Sequence, residues 1–185
     1  YAFNKAHSAA YGLVSYWKLD EQSGVRYDSV GSNDLTDNNT VTYVNAGPDE
    51  ATAKFTAASL ESLSASGVSL AADFTWTGWF YLTGTASDAA VFNVGNTWPN
   101  EIQVSVRLDT TSVKVLVGSG STFVQSQNAA TIATGWHFVV ATFTDADQKI
   151  RVYVDDVEAL SSPSTALGAS HYSASSLLEF GHQTA

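Results

Sequence analysis

The sequence has no cysteine and no methionine, three prolines, and eight lysines and arginines among 185 residues. Without cysteine there is no disulfide framework, no thiolate zinc site and no cysteine nucleophile. Eight basic side chains against eighteen acidic ones leave a formal charge of −10. That balance excludes a nucleic-acid backbone or an anionic membrane surface as the main ligand. No apolar run approaches the ~20 residues of a bilayer span, so no membrane insertion is expected. Charged residues make up 14% of the chain, against about 25% in an average soluble domain. Methionine is missing even at position 1, and no export signal is visible at Tyr1. The expectation is a processed product or a piece of a longer chain.

Apolar and hydroxyl side chains are abundant instead. Hydrophobic residues reach 44%, with five Trp, eight Tyr and nine Phe, and 42 residues are Ser or Thr. This apolar content excludes intrinsic disorder, and the length suits one domain. The hydrophobic period is two in most segments. Ile102, Val104, Val106 and Leu108 alternate with Gln103, Ser105 and Arg107, and Val113, Val115 and Val117 repeat the pattern after a short turn. Strands are also expected over 13–19, 74–82, 136–144, 149–155 and 177–181, and only a weak helix signal occurs over 51–58. Short β-branched and aromatic runs between turn clusters predict an all-β, two-sheet antiparallel sandwich of about a dozen strands. Residues 1–11 are read as a leader or linker and 12–185 as the domain.

Several segments, taken in order, carry a resemblance. They are Gly12 to Glu21 with Asp28 to Leu35, Phe74 to Trp79, Trp136 to Phe143 followed by Arg151 to Asp156, and Leu178 to Gly181. Together they resemble laminin-G-like domains of the concanavalin A-like lectin/glucanase superfamily. The resemblance implies a jelly roll of antiparallel strands. Two departures stand out. Asp155-Asp156 replaces the Asp-Gly usual in the family's hairpin, so positive-φ strain or a different turn is expected there. Relatives also close with a strand after the late glycine, whereas this chain ends at Ala185. The expected closing strand is either cut away, filled by Tyr1 to Ala10, or supplied by another chain.

Three sets of candidate site residues follow. Asp28 and Asp34 flank a glycine-containing turn, with Asp20 close by in sequence. Calcium accepts such mixed carboxylate and carbonyl ligands, although the same acids can simply satisfy turn N–H groups. For sugars, a stacking ring and amide partners occur together in Asn93, Asn96, Trp98 and Asn100, with Trp98 alternatively a loop anchor. The third set is a polar strand face of Gln103, Ser105, Arg107, Arg151 and Tyr153, which would form one surface if the two strand pairs are neighbours. Its plainer reading is a solvated outer face. His171-Tyr172 is a weaker site. Trp17, Trp76, Trp79 and Trp136 lie in expected strands and read as core.

Hydrolases of this fold carry a Glu-x-Asp-x-x-Glu strand, and none of the six glutamates here has that spacing. Retaining glycosidases need two carboxyls ~5–5.5 Å apart, so catalysis is not expected. No glycine-framed serine nucleophile, His-x₃-His pair or phosphate loop occurs. The expected function is a non-catalytic glycan-binding or adhesion module of a larger secreted, cell-surface or fibre protein. Its partners would be a glycan or glycoprotein surface, with calcium as a candidate cofactor. The alternative is a structural or decoration domain, such as one of a phage virion, acting through neighbouring domains or subunits. A glycoside hydrolase or polysaccharide lyase ranks below both.

Overall fold

The computed structural model describes residues 12–48, 50–68, 70, 73–82, 89–95, 104–108, 113–119, 122–127, 132–158 and 176–181. The chain divides into two compact units, Tyr1–Ser66 and Gly67–Ala185.

The N-terminal unit contains β1 (Thr36–Asn38), β2 (Thr42–Gly47), β3 (Glu50–Lys54) and most of β4 (Ser62–Val68). β1 pairs antiparallel with β4, and β2 with β3. Residues 51–54 are thus extended, and the weak helix signal yields one 3₁₀ turn at Ala57–Ser59. Residues 13–19 form no strand either; only Trp17 makes an isolated bridge, to Asp28. Leu19 takes a left-handed φ of 59°, which breaks an extended run.

The centre of this unit is polar. Arg26 is fully buried, and its guanidinium donates to the Gly24 carbonyl and, at 3.0 Å, to the Val41 carbonyl. Asp37 lies 3.8 Å away as counter-ion and also accepts the Val41 N–H at 2.8 Å. Leu35 and Val41 close over the group with almost no exposure. Removing one partner of such a pair leaves a buried charge uncompensated, at a cost of about 3–5 kcal/mol.

The C-terminal unit holds two sheets. One contains β13 (Ser176–Phe180), β6 (Ala89–Val94), β7 (Val104–Leu108), β8 (Val113–Ser119) and β9 (Thr122–Gln127), in that spatial order. The other is β12 (Val157–Glu158), β11 (Lys149–Val154), β10 (Gly135–Thr144) and β5 (Phe74–Leu82), likewise in order. Neighbouring strands in both of these sheets pair antiparallel. Period two decides what is buried. Val113, Val115 and Val117 on β8 are sealed, as are Val139, Ala141 and Phe143 on β10 and Ile150, Val152 and Val154 on β11.

Aromatic rings join the two layers. Trp76 on β5 stacks on Phe80 at 5.2 Å between centroids and meets Phe92 of β6 at 5.1 Å. Phe92 in turn contacts Phe180 of β13 edge-on at 5.3 Å. Gly78 makes room for this: a Cβ there would lie 3.0 Å from the Trp76 ring. The indole folds back over the bare backbone, as aromatic neighbours do at strand glycines.

The β11–β12 hairpin resolves the Asp155-Asp156 departure. Val154 pairs with Val157, leaving a two-residue loop with φ of 49° and 67°. Positive φ at both positions is the type I′ turn that suits twisted strands. Asp155 is fastened there: its carboxylate accepts the Phe138 N–H at 2.9 Å and lies 2.7 Å from His137 Nδ1. Asp156 gains no such contact in the described network. Asp156→Gly is therefore expected to raise the thermal midpoint by about 2 °C. Asp155→Gly is expected to lower it, and circular-dichroism melts of the two variants check the difference in sign.

Candidate functional site

The pairing of β10 with β5 runs without interruption from Gly135 opposite Leu82 to Phe143 opposite Phe74. Opposed residues share a face and adjacent residues do not. Since Val139, Ala141 and Phe143 face the core, the alternate rungs face outward. These are Tyr81 with Trp136, Trp79 with Phe138, Thr77 with Val140, and Thr75 with Thr142. β11 extends the last two with Tyr153 and Arg151, and β12 adds Glu158 opposite Tyr153. Rungs lie about 6.8 Å apart, two residues along a strand.

The outer face consequently has an aromatic half and a polar half. Trp79 and Tyr81 are 47% and 55% exposed, unusual for rings of that size. Each is held by a half-buried partner: Trp79 against Phe138 at 5.2 Å and 47°, and Tyr81 against Trp136 at 5.5 Å and 72°. Tilted and edge-on contacts are the favoured geometries for aromatic pairs. The exposed rings are therefore propped in place, with ring surface open to solvent. The hydroxyls of Thr75, Thr77, Thr142 and Tyr153 follow along the same face, together with Arg151, whose guanidinium lies 3.3 Å from Glu158.

The expected core role holds for Trp76 alone of the four tryptophans. Trp79 and Trp136 belong to the outer face, and Trp17 sits half-buried in a loop, donating its indole N–H to the Asn33 carbonyl at 2.7 Å. The joint polar face of Arg107 with Arg151 and Tyr153 does not form. β7 and β11 belong to different sheets, and Arg107 stands at the register position opposite Lys114. Asn93 lies on β6 opposite Glu179, and its amide donates to the Gly95 carbonyl at 3.2 Å. Asn96, Trp98, Asn100, Gln103, His171, Tyr172 and the segment Tyr1 to Ala10 lie outside the described residues.

Asp28 organises a loop in the N-terminal unit. Its Oδ1 accepts the N–H groups of Tyr16, Val30 and Gly31, each at 3.0 Å, and its Oδ2 accepts that of Asn33 at 3.1 Å. The Asp28 N–H itself donates to Asp34 Oδ1 at 2.8 Å. Gly31 has to be glycine, because a Cβ would meet the Val14 carbonyl at 2.6 Å and Asp28 Oδ2 at 2.7 Å. Asp20 is exposed. Four donor hydrogens thus occupy the Asp28 carboxylate and one occupies Asp34 Oδ1, so both acids serve the turn as acceptors of backbone N–H groups. No group of three or more acidic or histidine side chains suited to a metal occurs among the described residues.

Comparison with known proteins places this fold. The model of the concanavalin A-like lectin/glucanases superfamily matches residues 49–183, and the chain belongs to that superfamily. No curated protein sequence matches it. Among solved structures, it is similar to domain 4 of AbnA, a GH43 extracellular arabinanase from Geobacillus stearothermophilus, in complex with arabinotriose. The TM-score is 0.54 at 15% identity, covering 89% of this chain and 96% of that one. A carbohydrate esterase from the Shiga toxin-encoding bacteriophage phi24B gives a TM-score of 0.37 at 8% identity, covering 85% and 78%. The carbohydrate recognition domain of Emp47p gives 0.35 at 14% identity, covering 91% and 89%.

The Asp28 loop has a measurable acid signature. Burial pushes the Asp28 carboxyl up, but hydrogen bonds from the N–H groups of Tyr16, Gly31 and Val30, and from Ser15, outweigh it and bring it down from 3.8 to about 2. A depressed carboxyl stabilises the fold above its unfolded value and loses that contribution as pH falls through the folded one. Asp28→Ala, which strands these donors, is expected to cost about 2 kcal/mol at pH 7. The deficit against the parent protein should shrink from about pH 5 downward and be lost only below pH ~2. Thermal melts across that range check both the size and the window.

Proposed function

We propose that the domain is a non-catalytic carbohydrate-binding module that takes a glycan on the outer face of β5, β10 and β11. The observation that carries this reading is the exposure of Trp79 and Tyr81 at adjacent outward positions of one strand. Large exposed rings lose water cheaply and mark binding surfaces. A sugar ring presents C–H groups on its faces and hydroxyls around its rim. The rings would take the faces, while Thr77, Thr142, Tyr153 and Arg151 lie within a rung or two to pair with the hydroxyls.

Superfamily membership supports the reading, as does likeness in fold to an arabinanase domain solved with an arabino-oligosaccharide. The module would serve a larger secreted, cell-surface or fibre protein. Nothing in the proposed contact uses Asp20, Asp28 or Asp34, so the interaction is independent of calcium.

The test is a glycan array followed by retention on the best ligand. Trp79→Ala and Tyr81→Ala are each expected to weaken binding about tenfold, the equivalent of ~1.4 kcal/mol, with the thermal midpoint preserved. Binding is expected to be the same in millimolar calcium and in EDTA. If the face instead packs on a neighbouring subunit, Trp79→Ala would change the sedimentation behaviour of the assembly and leave glycan retention untouched.

A further inference from the structure

Resting on the carbohydrate-binding reading, we infer that the ligand of this face is a neutral glycan, and that polymers bearing uronate or sulfate groups are rejected. The argument is electrostatic. Two cations stand on the outward rungs of the four-stranded sheet: Arg151, opposite Thr142, and Lys149, opposite Thr144. Each already has a carboxylate. Arg151 lies 3.3 Å from Glu158 and Lys149 lies 3.7 Å from Asp147. These exposed pairs add little stability, but they cancel the positive charge where an anionic sugar would need it.

Among the described residues, the ends of this sheet add acidic side chains. Asp73 and Asp145 meet at one end of the sheet, where the Asp145 N–H donates to the Asp73 carboxylate at 2.7 Å. Asp155 and Asp156 form the β11–β12 turn, and the whole chain carries −10. Exposed charges act over roughly a Debye length, about 10 Å at 0.1 M salt. A polyanion drawn across the rungs would therefore meet repulsion with no free guanidinium or ammonium among the described residues of this sheet. A neutral chain meets none of this. Its recognition rests on two ring surfaces and a row of hydroxyls, whose strength does not depend on ionic strength.

Affinity electrophoresis of the 185-residue chain tests this with two sets of gels. One set contains neutral soluble polysaccharides: linear arabinan, arabinoxylan, mixed-linkage glucan and galactomannan. The other contains polygalacturonate or heparin. The expected result is retardation by at least one neutral polymer, equal at low and high salt and reduced about tenfold by Trp79→Ala. Migration in the acidic gels should match that in plain gel. Retardation by polygalacturonate or heparin that fades with salt would overturn the neutral-ligand inference and leave the carbohydrate-binding reading standing. Retention by a neutral polymer that survives both Trp79→Ala and Tyr81→Ala would overturn the assignment to this face. Retardation by neither set would overturn the carbohydrate-binding reading itself.

Discussion

The unbroken register of β5 against β10 is the constraint on which the C-terminal unit depends. Nine successive residue pairs, from Gly135 with Leu82 to Phe143 with Phe74, leave no bulge to absorb an error. A slip of β5 by one residue would turn Trp76 and Phe80 to solvent and drive Trp79 and Tyr81 inward. Core and outer face are therefore two readings of one ladder. Sealing the valines is what sends the rings out.

The inner side shows how closely this is tuned. The Trp76 indole reaches across to Phe92 only because Gly78 presents no Cβ beneath it. On the outer side the same strand carries Trp79 and Tyr81, each braced by a ring from β10. Rigid bracing matters for binding, because a ring already fixed in place loses little freedom when a ligand covers it.

Much of the C-terminal unit was legible in the sequence, for a physical reason. Strands buried on one face print their period directly, and the expected runs at 74–82, 136–144, 149–155 and 177–181 all appear as β5, β10, β11 and β13. The faces were legible too, though all the tryptophans read as core. Trp76 and Trp79 are an odd number of residues apart and cannot share one face of a strand. Cross-sheet partnership was not legible: nothing local in Arg107 and Arg151 says which sheet each joins. The stretch 13–19 misled because Leu13, Val14 and Tyr16 stay exposed, and the hold of the Asp28 carboxylate on the Tyr16 N–H leaves no mark in hydrophobic period.

Buried Arg26, clasped by Asp37 and two carbonyls, gives the N-terminal unit a different kind of interior from its neighbour. Interiors of charge and hydrogen bonds release little apolar surface on unfolding, whereas ring-and-valine interiors release a great deal and carry most of the heat-capacity change. The rings and valines of the C-terminal unit are therefore where most of the chain's heat-capacity change on unfolding is expected to arise.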